Sequence, residues 1–317
     1  MRYPMAMTAM AAALVTYVVH ATVPLTVYST GHIVVPALVN GKGPYTFMVD
    51  TGADESAVYA WFAKSLDLPK GKVGELSGAT GSEKMTITRL SSLSVDGHAI
   101  NQIDADTLPD RTDGAKIAGI VGVDLLGHRL AIMDFACRTF ELRPVQRITP
   151  DLVGTDATLI KAGAILDGKQ LSFPVTINGI AGVAVLDTGA RYTDINNAFA
   201  VAASIDTHSS TFRDASPTHG ATMTSISTRI GPIGTVRFAG ITRRDAVARV
   251  VDLPYFEGAG LADKPTMNLG VDFLQGTRLT VDFSSRQFWL ATSSCSSTSH
   301  PPQPAQPSAE TPLGMLQ

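Results

Sequence analysis

The sequence has few of the residues that build metal or disulfide sites. Its 317 residues include only two cysteines, Cys137 and Cys295, so a disulfide-built scaffold and a paired-cysteine metal site are both excluded. A single bridge between the two cysteines remains possible. The seven histidines are scattered, and no pair has the spacing and neighbouring glutamate of a zinc hydrolase. The Gly-x-Ser-x-Gly elbow of serine hydrolases is also absent. We therefore expect no metal and no cofactor.

Charge is also scarce. Charged residues make up 17% of the chain, the formal net charge is −3, and no run of five basic residues occurs. A nucleic-acid-binding protein normally carries a basic patch, so this class of partner is not expected. The hydrophobic share of 44% is that of a globular chain, long enough for one large domain or two of common size.

The two ends of the chain differ from the rest. Arg2 precedes an apolar run that ends in small residues near Ala21, which is typical of a cleaved export signal over residues 1–21. We expect a periplasmic or extracellular protein. The alternative is an uncleaved anchor, because the run is nearly long enough to span a membrane. Residues 293–317 are rich in Ser and Pro and are expected to form a disordered tail.

The most informative feature is a repeat. Residues 35–53, "VPALVNGKGPYTFMVDTGA", match residues 173–190, "FPVTINGIAGVAVLDTGA", with one residue missing in the second copy. Each copy has an apolar strand, an Asn-Gly turn and a second apolar strand, which predicts a β-hairpin. Asp50 and Asp187 follow the second strand of their hairpins.

A second pair of segments extends the duplication. Residues 121–142 align without a gap to residues 269–290, and both are typical of a buried strand, a short helical turn and a strand–turn–strand hairpin. The sequence therefore predicts two copies of one mostly-β unit, over residues 28–150 and 151–292. A helix is predicted after each Asp-Thr-Gly, within residues 55–68 and 194–205.

Two such loops that meet at a pseudo-twofold axis would place two carboxyl groups side by side. Two close carboxylates cannot both ionise, so one pKa rises and the pair shares a proton. The ionised aspartate can then activate a water while the protonated one polarises a carbonyl group. This is hydrolysis of an amide without a metal or a covalent intermediate.

The duplicated Asp-Thr-Gly-Ala blocks and the apolar-apolar-Gly segments resemble the retropepsin-like aspartic protease unit, and two units in one chain resemble the pepsin plan. The "GVDFL" and "VDF" segments are similar to bacterial members. The resemblance implies a mostly-β fold of two homologous β-barrel lobes with the active cleft between them. It also implies an aspartic endopeptidase that acts on peptide or protein substrates as a monomer.

Site residues follow from the same resemblance. Asp50 and Asp187 would be the catalytic pair, and the loops around them would be supported by Thr51, Gly52, Thr188 and Gly189. The segment Gly78, Ala79, Thr80 and Gly81 would be a flap over the substrate, with a second flap near Gly220. Arg191 departs from the family pattern, in which a small or acidic residue is commoner, and would either affect the pair or point to solvent.

Plainer interpretations account for other repeated residues, and two other functions compete with the protease. Helix-cap and turn roles are expected for Asp124, Asp272, Asp134 and Asp282. A peptide-binding module that retains the cleft without catalysis is the main alternative, although both Asp-Thr-Gly blocks are intact. A purely architectural envelope protein would leave the paired carboxylates unexplained.

Overall fold

The computed structural model describes residues 22–166 and 169–295. The predicted export signal (residues 1–21) lies outside the described residues, as does residue 296 onward of the predicted tail. No helix among the described residues is long and apolar enough to cross a membrane.

Residues 22–149 of the described chain form eleven strands and two short helices. In chain order they are β1 (Val23–Pro24), β2 (Thr26–Val27), β3 (Ile33–Val39), β4 (Lys42–Val49), β5 (Ala57–Tyr59), α1 (Ala60–Ser65), β6 (Lys70–Gly78), β7 (Gly81–Val95), β8 (His98–Leu108), β9 (Gly119–Val121), α2 (Val123–Leu126), β10 (Leu130–Asp134) and β11 (Thr139–Arg143). Eight of these strands form one sheet in the order β2-β3-β4-β9-β5-β8-β7-β6, and an additional pairing of β3 with β7 curls it towards a barrel.

The second half repeats this plan. Its elements are α3 (Pro150–Val153), β12 (Thr158–Lys161), β13 (Gly163–Ile165), β14 (Gln170–Ile177), β15 (Ile180–Leu186), β16 (Asp194–Ile195), α4 (Asn197–Ala202), β17 (Arg213–His219), β18 (Ser225–Phe238), β19 (Ile241–Val250), α5 (Pro254–Gly258), β20 (Thr266–Leu269), α6 (Val271–Leu274), β21 (Thr277–Asp282) and β22 (Gln287–Thr292). The sheet order β13-β14-β15-β20-β16-β19-β18-β17, with β14 also paired to β18, is equivalent strand for strand to that of the first lobe. The predicted duplication and the mostly-β fold class are confirmed.

A third sheet joins the two lobes. It has six strands in the order β1-β11-β10-β21-β22-β12, so the hairpin β10–β11 of the first lobe continues directly into β21–β22 of the second. At its centre Ile132 pairs with Thr280, which is the equivalent residue of the other half. The pseudo-twofold axis therefore passes through this pair. Strand β1 lies before residue 28, outside both predicted lobes, whereas β10 and β11 fall within the predicted first lobe and β12, β21 and β22 within the predicted second lobe.

Each lobe begins with the predicted Asn-Gly hairpin. Asn40 and Gly41 have φ values of 51° and 73°, and Asn178 and Gly179 have 53° and 86°. Positive φ at both central residues suits the right-handed twist of the strands, and Asn-Gly adopts it at little cost. The extra residue of the first copy is accommodated by a shift of register in the β3–β4 pair. The apolar second strand of each hairpin then leads to Asp50 or Asp187.

The predicted helices after the Asp-Thr-Gly blocks are wrong in their first residues. In residues 55–68 the segment Ala57–Tyr59 is a buried strand, and the helix occupies only Ala60–Ser65. The strand lies between β8 and β9, where burial and pairing outweigh helix propensity. In residues 194–205 a two-residue strand precedes α4, and the side chain of Asn196 caps the helix by accepting the N–H of Phe199.

The predicted disordered tail does not begin at residue 293, because Ser293 and Cys295 contact the rest of the molecule. The Ser293 hydroxyl donates to the carboxylate of Asp134 at 2.9 Å, and its N–H donates to the carbonyl of Gly276 at 2.9 Å. Two residues later, Cys295 forms a disulfide with Cys137. These contacts fix the end of β22 to the first lobe. Disulfides persist in oxidising compartments, which the predicted export signal also implies.

Candidate active site

Two equivalent loops meet at the pseudo-twofold axis. Asp50 follows β4 and Asp187 follows β15, and each backbone N–H donates to the strand beside it, to Val121 and Leu269 respectively, at 3.1 Å. The two carboxyl groups lie close enough to shift each other's pKa. Both residues are half-buried, and both line the same cavity. The structure thus brings together the two aspartates that the sequence singled out.

Four hydrogen bonds made by Thr51 and Thr188 hold the two loops together. The N–H of Thr51 donates to the Thr188 hydroxyl at 3.1 Å, and the N–H of Thr188 donates to the Thr51 hydroxyl at 3.0 Å. Each hydroxyl then donates to a carbonyl of the opposite lobe, Leu186 or Val49, at 2.9 Å. Both threonines are almost fully buried, with 1% and 0% of their surface exposed. The two threonines therefore position the carboxyl groups and do not face the cleft.

Gly52 and Gly189 allow this close approach. A Cβ atom at residue 189 would lie 2.2 Å from Oδ2 of Asp50, and one at residue 52 would lie 2.9 Å from Oδ1 of Asp187. Both distances are shorter than a van der Waals contact. The N–H groups of the same glycines donate to the carboxylates, that of Gly52 to Asp50 at 2.8 Å and that of Gly189 to Asp187 at 2.9 Å.

The two aspartates differ in one neighbour. The side-chain amide of Asn268 donates to Oδ2 of Asp187 at 2.7 Å, and the hydroxyl of Tyr255 donates to the amide oxygen of Asn268 at 2.6 Å. The position equivalent to Asn268 in the first lobe is Ile120, on strand β9, which offers no hydrogen bond from its side chain. A donor that points at one carboxylate only makes the pair chemically unequal.

The electrostatics of the pair reflect this difference. Burial, together with the charge of Asp187, raises the pKa of Asp50 well above its ordinary value. Burial also raises the pKa of Asp187, but the hydrogen bond from Asn268 opposes the rise. A donor to a carboxylate stabilises its charged form. The Asn268 donor therefore favours the charged form of Asp187 over that of Asp50.

Sequence reasoning missed Asn268 and Tyr255. The signal for Asn268 lay one residue before the gapless alignment of the two halves, where the buried strand has Ile120 in one copy and an asparagine in the other. An unpaired amide inside a buried strand is costly, so it requires a partner. Tyr255 lies in α5, in a segment with no clear counterpart in the first half, and no pattern pointed to it.

A second pair of equivalent contacts supports the base of each loop. The hydroxyl of Ser56 donates to Asp124 at 2.7 Å, and the hydroxyl of Thr193 donates to Asp272 at the same distance. The expected helix-cap role of Asp124 and Asp272 is wrong, because Gly122 and Gly270 occupy the cap positions. The expected turn role is right for Asp134 and Asp282, each of which accepts backbone N–H groups of the turn that follows it.

The predicted flap lies at the tip of the β6–β7 hairpin. Gly78 and Gly81 close the pair of strands, with Ala79 and Thr80 between them. Thr80 is 1% exposed because it contacts the tip of the opposite hairpin, β17–β18, where its hydroxyl lies 3.1 Å from that of Thr222.

Two further hydrogen bonds join the hairpin tips. The N–H of Gly220 donates to the Thr80 hydroxyl at 3.2 Å, and the N–H of Met223 donates to Glu83 at 2.9 Å. The tips of the two hairpins therefore contact each other, and residues of both line the same cavity as the two aspartates.

Two cavities flank the aspartates beneath these tips. One has a volume of about 400 Å³ and reaches both Asp50 and Asp187, and the other has about 280 Å³ and reaches Asp187. Ala79 and Asn268 line both cavities. An extended peptide that occupied the two cavities would cross the aspartate pair. Within residues 22–166 and 169–295 no cluster of three His, Cys, Asp or Glu side chains could hold a metal ion.

Arg191 lies in the wall of the larger cavity and does not point away into solvent. Its guanidinium donates to the carbonyl of Thr30 at 3.0 Å. The pKa of each aspartate is shifted mainly by burial, by the other aspartate and by hydrogen bonds. Arg191 is not among these causes.

Comparison with known proteins agrees with this geometry. A search of curated proteins gave no match. The aspartyl protease family model matches two regions of the chain, residues 35–125 and 173–273, which together cover more than half of it. Each region contains one Asp-Thr-Gly loop with the hairpin before it and the apolar-apolar-Gly segment after it. The chain therefore belongs to the aspartyl protease family and carries two retropepsin-like units.

Proposed function

We propose that the protein is an aspartic endopeptidase in which Asp50 and Asp187 hydrolyse peptide bonds. The observation that supports this most strongly is the pair of adjacent carboxyl groups that line one cavity and whose pKa values are both raised by burial. Such a pair holds an acid and a base at once, which is what addition of water to an amide requires. Family membership and the two intact Asp-Thr-Gly loops support the same function.

The two aspartates have distinct roles in the proposed reaction. The Asp187 carboxylate takes a proton from a water molecule, whose oxygen bonds to the carbonyl carbon of the substrate. Asp50 gives its proton to the carbonyl oxygen, which produces a neutral gem-diol. In the second step Asp187 passes its proton to the amide nitrogen as the C–N bond breaks, and Asp50 recovers a proton from the diol. The pair returns to its starting state.

Incubation with a mixed peptide library tests the proposal. We expect internal cleavage products, identified by mass spectrometry, and their loss when a statine-type inhibitor with a tetrahedral hydroxyl group is added. Such a compound resembles the gem-diol and should bind between the two carboxyl groups. Peptides that are retained without cleavage would instead support the binding-module alternative.

Removal of the Asn268 hydrogen bond should shift the pH profile of hydrolysis. The acid limb of kcat reports deprotonation of Asp187, and the amide of Asn268 favours the deprotonated form. Asn268→Ile should raise the pKa of Asp187 and so move the acid limb to higher pH, by about one to two units. The change is best made together with Tyr255→Phe, because the Tyr255 hydroxyl would otherwise lose its partner.

Ile120→Val is the matched control, since it alters the equivalent position in the other lobe without changing hydrogen bonds. Its acid limb should coincide with that of the wild type. An unchanged acid limb in the Asn268→Ile, Tyr255→Phe enzyme would contradict the assignment of Asp187 as the carboxylate.

A further inference from the structure

The two cavities beside the aspartates differ in charge. The larger cavity is lined by three arginines, Arg111, Arg191 and Arg249. The smaller one has no basic side chain among its described lining residues, and Asp187 is its only acidic one. A peptide in the cleft therefore meets cationic groups on one side of the scissile bond only.

Two of the three arginines are already paired with carboxylates. The guanidinium of Arg111 forms a salt bridge with Asp113. Arg249 is buried, and its Nε lies 3.3 Å from Oδ1 of Asp194. Burial raises the pKa of Asp194 to about 7, so this carboxyl group is a weaker counter-charge than Asp113. The Arg249 guanidinium also donates to the carbonyl of Ser216 and to the hydroxyl of Thr218, so neither Arg111 nor Arg249 is free to bind another anion.

Arg191 is different. Within the described part of the chain no carboxylate lies within 4.0 Å of its guanidinium, and its one direct hydrogen bond goes to the carbonyl of Thr30. The guanidinium carbon lies 4.6 Å from the ring centroid of Tyr192, and the side-chain stem lies beside Gly31. A guanidinium group has five N–H donors. Arg191 is thus held in place with most of its donors available.

The surroundings of Arg191 do not neutralise it. Burial, followed by the charges of Arg111 and Arg191, lowers the pKa of His32 to about 4, so this neighbour stays uncharged. Besides the central pair of aspartates and the partners of Arg111 and Arg249, the described lining of the larger cavity has one more carboxylate, Asp110. It accepts the backbone N–H of Trp61 at 2.7 Å at an exposed position. The larger cavity therefore offers one positioned cation without a partner.

The equivalent position in the first loop strengthens the contrast. Arg191 corresponds to Asp54, which is followed by Glu55, and both carboxylates lie near Lys169, at 4.0 and 3.8 Å. Neither Asp54 nor Glu55 lines either cavity, so only the second loop brings a charged side chain from this position into the cleft. Only the Arg191 side can form a bidentate ion pair with a carboxylate.

We propose that Arg191 binds a carboxylate of the substrate in the larger cavity, so that the enzyme prefers peptides with an anionic group on one side of the scissile bond. The inference rests on the proposed peptidase function and gives that function its substrate class. The carboxylate can belong to an acidic side chain or to the C-terminus of the peptide, and the two sources share the same chemistry.

Matched peptides test the proposal. In a set of C-terminally amidated peptides, each peptide carries one Glu, at a different position within three residues of the cleaved bond. Each is paired with a peptide that has Gln at the same position. Further Gln peptides end in a free C-terminal carboxylate, placed within three residues after the cleaved bond. Wild-type enzyme should prefer one anionic peptide by about 10- to 100-fold in kcat/KM, as expected for a charge-assisted hydrogen bond. A preference for the amidated Glu peptide identifies the side chain as the source, and a preference for the free terminus identifies the C-terminus.

Variants locate the effect. Arg191→Ala should abolish the preference while it leaves cleavage of the amidated Gln peptides largely intact. Arg191→Lys should retain a smaller preference, because it keeps the charge and loses the bidentate geometry. Arg237→Ala, at an exposed position of the same lobe, is the control and should behave as the wild type. Thermal melts show whether each variant is folded.

Equal cleavage of all matched peptides by the wild type would overturn the inference and leave the proposed function standing. So would a folded Arg191→Ala enzyme that keeps the preference or loses activity equally on Glu and Gln peptides. Failure of the wild type to cleave any peptide would contradict the proposed function instead. In that case fluorescence anisotropy of the labelled peptides decides the inference, which requires tighter binding of an anionic peptide to the wild type than to Arg191→Ala.

Discussion

Replacement of Asp50 by Asn, or of Asp187 by Asn, should lower kcat/KM for any cleaved peptide by about 10⁴-fold or more. Each aspartate is one half of a single acid–base unit, and an amide can neither supply the proton of Asp50 nor accept the proton that Asp187 takes from water. Effects within such a unit are not additive, so the double variant should be hardly worse than either single one. The measurement is steady-state hydrolysis of a fluorogenic peptide, with circular dichroism to show that the fold is retained.

A mixing experiment tests whether the pair forms within one chain. Thr51 and Thr188 lock the two loops of the same chain together, so a mixture of Asp50→Asn and Asp187→Asn proteins should stay inactive. Activity per mole of the wild type should also stay constant on dilution, because the tethered lobes do not dissociate. Turnover by either folded single variant would contradict the catalytic role of the pair, and recovery on mixing would contradict the monomer.

Gly189→Ala should strongly impair hydrolysis although both aspartates are retained. The added Cβ would lie 2.2 Å from Oδ2 of Asp50 and 2.3 Å from its Cγ, so the carboxyl group or the loop must move. A displacement of about 1 Å at a reacting group costs about 100-fold in rate. We expect a fall of at least about 100-fold in kcat, measured on the same fluorogenic peptide.

Gly97→Ala separates this effect from a general loss of stability. Gly97 lies in the turn between β7 and β8 with a φ of 72°, and a Cβ there would meet no atom within 4 Å. The substitution should cost about 1–2 kcal/mol of folding free energy through the backbone alone, while the folded enzyme keeps its activity. A Gly189→Ala protein with near wild-type kcat would show that the loops tolerate a wider separation than the structure has.

Much of the fold could be predicted because the sequence contains an internal repeat. One Asn-Gly turn between apolar strands is a local signal, and its recurrence before Asp187 shows that the two signals belong to equivalent units. The role of Gly52 follows from the same symmetry, since a residue next to the axis must leave space at it. The role of Thr51 follows from the resemblance to the family. Local turn chemistry and a repeat therefore predict the loops well.

The remaining features depend on contacts that no local pattern contains. The strand Ala57–Tyr59 looks helical by its spacing, and only the neighbouring strands β8 and β9 make it extended. Asn268 acquires its function from a carboxylate 81 residues away in the chain. The disulfide of Cys137 joins residues 158 positions apart. Such pairings are properties of the packed molecule.

The contact between the two hairpin tips has a topological consequence. With Thr80 hydrogen-bonded to Thr222 and Gly220, the aspartates lie under a closed arch. A loose chain end can thread beneath an arch, but an internal loop of a folded protein cannot enter unless the arch opens. Opening breaks these hydrogen bonds and the one between Met223 and Glu83. In the proposed peptidase, access for internal sites would therefore be a gated step that precedes chemistry. Substrates with free ends and substrates without them would therefore enter by different routes and at different rates.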